Sequence, residues 1–152
     1  MDKKKIFAVA SIGGHWIQLL RIAKPLEGRY EVVYLCTHPK CATMVEGHQF
    51  YQMTDYSRWD AWKMIPSFFR MCRIIQKEKP VAILTTGATP GLTCLLAGKM
   101  LGKKTIWVVS IANVQHLSLS GRLASKFASR IYTQWKDLAT SKVTYAGNIL
   151  GE

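Results

Sequence analysis

Residues 6–15 read IFAVASIGGH, and this stretch decides the fold. Its first six residues are apolar or small and do not alternate with polar ones, which is typical of a strand buried on both faces of a parallel sheet. Gly13, Gly14 and His15 follow at once, and apolar residues then recur at helical spacing over residues 16–23. A buried strand that turns into a helix over two glycines predicts the opening unit of an α/β fold.

The same alternation continues along the chain. Its length of 152 residues is enough for one sizeable core and too short for two ordinary domains. The sequence therefore predicts one domain over residues 1–152, a Rossmann-like, doubly wound parallel sheet. Further strands are predicted at 31–37, 49–53, 81–85, 104–109, 130–133 and 143–146, and helices at 38–47, 58–79, 90–101 and 120–129.

The charge balance predicts an anionic partner. Lysine and arginine number 21 against 9 acidic residues, which gives a net charge of +12. Nucleic acid, an acidic membrane surface and a phosphorylated ligand all fit such an excess. Neither a signal peptide nor a transmembrane helix is expected, because the apolar runs are too short.

The four cysteines are expected to be reduced, buried thiols. CTHPKC at 36–41 has two cysteines and a histidine at close spacing, but no second pair of ligands accompanies it. We therefore expect no metal and no cofactor.

Three loops follow predicted strands, at 11–15, 85–91 and 110–122, and the carboxyl ends of parallel strands meet at one edge of a sheet. Glycines there let the backbone approach a phosphate closely, and a following helix offers free N–H groups. A tight turn explains the glycines equally well, and helix capping explains the hydroxyls. His15 is a candidate general base, since histidine exchanges protons near neutral pH, although a capping or packed histidine is as common.

Residues 58–79 combine a basic stripe with large aromatic side chains. On a helix the basic residues fall within an arc of about 140°, and Pro66 should kink or split that helix. Such a segment fits the surface of an anionic membrane or a partner, and it also fits a crossover helix with a solvated basic side. The predicted contact residues are Trp59, Trp62, Lys63, Phe68, Phe69, Arg70 and Arg73.

Three stretches occur in an order that resembles a known family: SIGGHWIQLLRI at 11–22, TTGATPGLTCLLAGKMLGKKTIWV at 85–108 and SIANVQHLSLSGRLASKFASRIYTQW at 110–135. They are similar to bacterial polysaccharide-biosynthesis proteins of the PssD/CpsF type. Those proteins are related to the membrane-recruiting subunit of the eukaryotic two-part transferase that adds the second N-acetylglucosamine to dolichol-linked oligosaccharide. The resemblance covers nearly the whole chain.

The resemblance implies the N-terminal half of a GT-B glycosyltransferase. This half would bind a lipid-diphosphate-linked acceptor at the cytoplasmic face of a membrane, in capsule or exopolysaccharide synthesis. A separate catalytic subunit would supply the UDP-sugar half, and neither would work well alone. His15 is the expected catalytic group. The expected ligand-binding residues are Gly13, Gly14, Thr86, Gly87, Gly91, Asn113, Ser118, Ser120 and Arg122.

Two alternatives stay open. Val109 stands where relatives commonly carry an acidic residue, so the chain could be a non-catalytic membrane scaffold that recruits the catalytic subunit. The charge also permits a basic nucleic-acid-binding domain, but no nucleic-acid-binding motif accompanies it, and nucleic acid is not the expected partner.

Overall fold

A computed structural model describes residues 3–54, 62–87, 89–108, 128–133 and 143–145. Within these ranges the chain forms one sheet of seven strands, in the order β3-β2-β1-β4-β5-β6-β7, and every neighbouring pair is parallel. The strands are β1 (Lys5–Ala10), β2 (Glu31–Cys36), β3 (Phe50–Gln52), β4 (Ala82–Gly87), β5 (Lys104–Val108), β6 (Arg130–Thr133) and β7 (Val143–Tyr145).

Three α-helices connect the strands in the described ranges: α1 (Gly14–Ala23), α2 (Met64–Glu78) and α3 (Thr89–Met100). Two 3-10 helices, Lys24–Leu26 and Pro39–Met44, flank β2. The second of them stands where a short helix is predicted at 38–47. Of the helix predicted at 120–129, only residues 128 and 129 are described, and they are not helical.

The helices cover both faces of the sheet, as a doubly wound fold requires. Alternate residues of each strand point to opposite faces. One layer packs α1, through Trp16 and Leu19, against strand residues such as Ala8 and Tyr34. The other packs α2 and α3, through Ile75 and Leu95 among others, against a second set of strand residues that includes Phe7, Val33 and Ile83.

Pro66 does not split the helix that contains it. The helix begins at Met64, so Pro66 lies in its first turn, where an N–H has no partner inside the helix and its absence breaks no bond. The prediction of a kink or break at Pro66 was wrong because the helix starts later than predicted.

The chain reverses its direction of winding at β1. From β1 the chain adds β2 and β3 on one side, and β4 and the later strands on the other. The carboxyl ends of β1 and β4 therefore lie side by side at the point where the order reverses. In open α/β sheets this is where a ligand-binding crevice forms.

Candidate functional site

The turns after β1 and β4 are joined through His15. Its ring Nδ1 lies 2.8 Å from the backbone oxygen of Thr86, and the Thr86 hydroxyl donates to the backbone oxygen of His15 over 2.6 Å. The Ser11 N–H also donates to the Gly87 oxygen at 3.3 Å. The two predicted glycine turns thus form one structure at the carboxyl edge of the sheet.

The contact with Thr86 fixes which ring nitrogen of His15 carries the proton. A carbonyl oxygen only accepts hydrogen bonds, so Nδ1 must be the donor. In the neutral ring Nε2 then carries the lone pair. A partly buried imidazole held in this tautomer can take up a proton at Nε2.

Gly87 is required by the position of the His15 ring. Its φ is +124°, and a Cβ at this position would lie 2.9 Å from Cε1 and 3.0 Å from Nδ1 of His15. The pairing of β1 with β4 shifts at the same place: Val9 pairs with Thr85 and Ala10 with Gly87. Thr86 is the extra residue of this bulge, and its carbonyl is the one that His15 contacts.

The other glycines of the two turns differ in exposure. Gly13 and Gly14 are exposed, with no atom within 4 Å of the position that a Cβ would occupy, and Gly13 has a φ of +106°. Gly91 is buried, and a Cβ there would lie 2.3 Å from the Thr85 hydroxyl. Gly91 therefore lets α3 pack closely on the end of β4, whereas Gly13 and Gly14 present open backbone where α1 begins.

The third predicted loop lies outside the described residues. This applies to Asn113, Ser118, Ser120 and Arg122, and also to Val109. Their expected part in the site therefore stays a prediction.

An apolar surface is exposed at the start of α2. Trp62, Ile65 and Phe69 are 68%, 64% and 60% exposed, values far above those of core side chains. We call these three residues the apolar triad. Ile65 was not among the predicted contact residues, although its spacing of three from Trp62 and four from Phe69 is the signal that places it on the same helix face.

Basic side chains accompany the apolar triad. Lys63 Nζ lies 5.7 Å from the centre of the Trp62 ring, and exposed Arg70 donates from Nη1 to the Gln52 backbone oxygen over 2.6 Å. Arg73 is exposed one turn later.

Two predicted contact residues differ from this description. Phe68 is partly buried and packs against the core, so it does not belong to the exposed surface. Its ring meets that of Phe69 edge to face, with the centres 5.6 Å apart. Trp59 lies outside the described residues.

The four cysteines are unpaired, as predicted, and three of them are buried. Burial and a hydrogen bond with Cys36 raise the pKa of Cys41 to about 12, so this thiol stays protonated near neutral pH. His38 accepts the Lys40 N–H at Nδ1, which caps the 3-10 helix. In the described part of the chain, no three histidine, cysteine or acidic side chains are grouped so that they could hold a metal.

Comparison with solved structures identifies the fold. The chain superposes on Acinetobacter baumannii MurG with a TM-score of 0.81 at 17% identity, covering 98% of this chain and 46% of MurG. It superposes on S. aureus MnaA, solved with UDP, with a TM-score of 0.72 at 16% identity, covering 96% and 44%. The predicted fold is confirmed: a Rossmann-like parallel sheet equivalent to the N-terminal half of a GT-B glycosyltransferase.

Two curated proteins are similar in sequence. The UDP-N-acetylglucosamine transferase subunit alg14 of Schizosaccharomyces pombe is 46% identical over 66 residues, which are 40% of this chain and 31% of that protein. The second is from Geobacillus thermodenitrificans and is named UDP-N-acetylglucosamine--N-acetylmuramyl-(pentapeptide) pyrophosphoryl-undecaprenol N-acetylglucosamine transferase. It is 22% identical over 175 aligned residues, which cover 100% of this chain and 47% of that protein. The chain thus spans less than half the length of each relative.

A protein-family model matches about two thirds of the chain. The model described as "Oligosaccharide biosynthesis protein Alg14 like" matches residues 51–149, which include β4, α3 and the third predicted loop. This match supports the predicted relation to the eukaryotic two-part transferase, while the bacterial PssD/CpsF type stays a prediction. The chain belongs to the Alg14-like family of oligosaccharide biosynthesis proteins.

Proposed function

We propose that this chain is the acceptor-binding, membrane-associated subunit of a two-component glycosyltransferase. It would help to move a sugar from a UDP-sugar to a lipid-diphosphate-linked acceptor in cell-surface polysaccharide synthesis. A separate catalytic subunit would supply the half that binds most of the UDP-sugar. The His15 bridge between the two glycine turns is the observation that carries this proposal.

Family membership supports a separate partner subunit, and the fold corresponds to one half of a two-domain enzyme. The chain matches 46% of MurG and 47% of the Geobacillus transferase, so it accounts for about one half of each. The S. pombe relative is named as a transferase subunit. The described sheet corresponds to one half of a two-domain cleft, and in this proposal the partner subunit supplies the other half.

The chemistry assigned to His15 is that of a general base. A hydroxyl of the acceptor attacks the anomeric carbon of the donor sugar, and the bond from that carbon to the UDP oxygen breaks. His15 Nε2 takes the hydroxyl proton while Nδ1 donates to Thr86, which holds the ring in place. UDP leaves with the electron pair of the broken bond.

The exposed turn at Gly13 and Gly14 is suited to a diphosphate. Its backbone is open and lies where α1 begins, and no acidic residue is present in the first turn of that helix. Backbone N–H groups at such a position favour an anion. The net charge of +12 favours the same ligand and an anionic membrane surface.

Peripheral association with the cytoplasmic face of a membrane completes the proposal. The helices in the described ranges are too short or too polar to cross a bilayer. The apolar triad and its neighbouring cations instead fit the interface of an anionic bilayer, where Trp and Phe are buried and Lys and Arg meet phosphates.

Replacing His15 tests the proposal. The chain and its companion subunit are purified together, and transfer of radiolabelled sugar to a lipid-diphosphate acceptor is measured. His15→Ala should lower the turnover number about 10²–10⁴-fold, the usual contribution of a general base. Vesicle binding and assembly of the two subunits should persist.

His48→Ala is the matched control. His48 precedes β3, at the opposite edge of the sheet, and pairs with Glu27 at 3.2 Å, so its loss should leave turnover close to that of the unchanged pair. Unchanged turnover in His15→Ala would contradict the catalytic role and favour the scaffold alternative, in which this chain only recruits the catalytic subunit.

A further inference from the structure

We propose that a cavity beside α2 binds the headgroup phosphate of an anionic phospholipid. This inference rests on the proposed membrane association and specifies how the membrane is recognised. The cavity has a volume of about 180 Å³ and lies between α2 and the segment that follows β3. It does not include the residues of the His15 bridge.

The chemistry of the cavity is that of an anion site. The described residues of its lining are Thr54, Lys63, Pro66, Ser67 and Arg70. Two of these side chains are cationic and two carry hydroxyls, while no carboxylate is found among the described residues of the lining. A phosphate accepts hydrogen bonds from all four polar groups, and two positive charges offset its negative charge.

Arg70 is oriented before any ligand arrives. Its Nη1 donates to the backbone oxygen of Gln52 over 2.6 Å, which ties the guanidinium to the end of β3. A guanidinium has five N–H donors, so this contact leaves others for a phosphate oxygen. A side chain that is already held in place loses less conformational freedom when it binds.

The apolar triad indicates that the phosphate belongs to a lipid. Trp62 directly precedes Lys63, and Ile65 and Phe69 alternate along α2 with the lining residues Pro66, Ser67 and Arg70. A headgroup held in the cavity would therefore stand next to side chains that are more than half exposed and apolar. A free phosphate or a sugar phosphate would leave those side chains in water, whereas a phospholipid covers them.

The cavity also lies at the same edge of the sheet as the His15 bridge. Thr54, Ser67 and Arg70 line a second, narrower cavity together with Pro90 and Thr93, at the start of α3. Pro90 lies three residues beyond Gly87, so a lipid bound beside α2 would bring the bilayer surface to the edge that carries the proposed reaction.

Vesicle binding by the full chain tests the site. Flotation is measured with vesicles of phosphatidylcholine alone and with vesicles of three parts phosphatidylcholine to one part phosphatidylglycerol. Lys63→Gln and Arg70→Gln should each weaken binding to the anionic vesicles about tenfold or more, since a hydrogen bond to a charged group is lost. Ser67→Leu, which fills the cavity without changing the charge, should weaken it as well.

Arg73→Gln is the charge-matched control. Arg73 is exposed on the same helix but does not line the cavity, so its loss should weaken binding about fivefold at most, as expected for one basic side chain near an anionic surface. Equal losses in Arg70→Gln and Arg73→Gln, or full binding by Ser67→Leu, would overturn the site. Thermal unfolding of each variant shows that it is folded.

Two further experiments distinguish a lipid headgroup site from a free-phosphate site and from membrane binding by the apolar triad alone. Inorganic phosphate at constant ionic strength should not release the protein from vesicles, and selective release would assign the cavity to free phosphate. Trp62→Ser should weaken binding to every vesicle. If Trp62→Ser does so while the cavity variants bind normally, membrane association stands and the headgroup site is overturned.

Discussion

At the scale of single residues, a glycine and a histidine determine each other's conformation. Gly87 has a positive φ and no room for a side chain, because the His15 ring occupies the place of its Cβ. His15 in turn donates to the carbonyl of the residue before Gly87. Gly87 is therefore a positioning residue: it acts on the reaction through His15 and need not touch a ligand.

Gly87→Ala should damage both stability and turnover. A side chain at a φ of +124° is strained, which lowers the free energy of unfolding by about 1–3 kcal/mol. Displacement of the His15 ring should lower the turnover number of the two-subunit enzyme about 10²-fold with little change in vesicle binding. Turnover assays and chemical denaturation measure the two effects.

Gly28→Ala is the control for Gly87→Ala. Gly28 is exposed, has no atom within 4 Å of its Cβ position and does not have a positive φ. Alanine there should leave turnover intact and stabilise the fold by up to about 1 kcal/mol, by restricting the unfolded chain. Normal turnover in Gly87→Ala would show that the His15 ring position does not matter.

At the scale of elements, the last turn of α2 is fixed to the sheet by a buried carboxylate. Glu78 accepts hydrogen bonds from Lys5 at 3.0 Å, Gln49 at 2.8 Å and Tyr51 at 2.7 Å. These partners lie on or next to β1 and β3. The start of α2 carries the apolar triad, so one end of the helix is anchored and the other is exposed.

Because of Glu78, the free energy of unfolding should decrease at acid pH. Burial raises the pKa of this carboxyl, but the hydrogen bonds from Tyr51 and Lys5 and the charge of Lys5 outweigh burial and lower it below its ordinary value of 4.5. The native state therefore favours the ionised carboxylate. Its contribution to the free energy of unfolding is present above pH 4.5 and is lost as the pH falls through the lowered pKa. Glu78→Gln should reduce the free energy of unfolding at neutral pH by about 1–3 kcal/mol.

Denaturation curves at several pH values test the role of Glu78. The deficit of Glu78→Gln relative to the unchanged chain should shrink as pH falls below 4.5. Glu46→Gln is the control, because Glu46 is exposed and its replacement removes one charge without touching the network. A deficit that stays constant with pH would assign the loss to packing and not to the ionised carboxylate.

The elements show what the sequence can and cannot predict. The strands were predicted to within two residues at either end, because buried apolar runs bounded by glycine or proline are a local signal. The Glu78 network was not predicted, because its partners lie 73, 29 and 27 residues away along the chain. No local pattern distinguishes Glu78 from a solvated glutamate on a helix.

At the scale of the whole molecule, the topology explains why the site was partly predictable. Parallel strands bring their carboxyl ends to one edge, so the meeting of the first two glycine turns follows from the order of elements. The order of elements does not, however, predict that the His15 ring contacts the Thr86 carbonyl. A bulge of one residue places the Thr86 carbonyl against His15, and bulges have no reliable sequence signal.

The net charge of +12 permits binding to nucleic acid or to an anionic membrane, and the dependence of binding on salt distinguishes the two. Binding to single-stranded RNA would rest on phosphate contacts and counterion release, so it should fall by about 300-fold or more between 50 and 200 mM salt if six or more phosphates are contacted. Binding to anionic vesicles has a second component, because burial of the apolar triad does not depend on counterions. Vesicle binding should therefore level off above a residual value as salt rises.

Flotation and electrophoretic mobility over the same salt series measure both kinds of binding. Trp62→Ser, which removes the largest exposed apolar side chain of the triad, should abolish the residual vesicle binding and leave the RNA curve unchanged. Arg73→Gln should lower both curves, since it removes charge alone. A vesicle curve that falls as steeply as the RNA curve, in the unchanged chain, would mean that the triad is not buried in lipid and that charge alone holds this protein to a membrane.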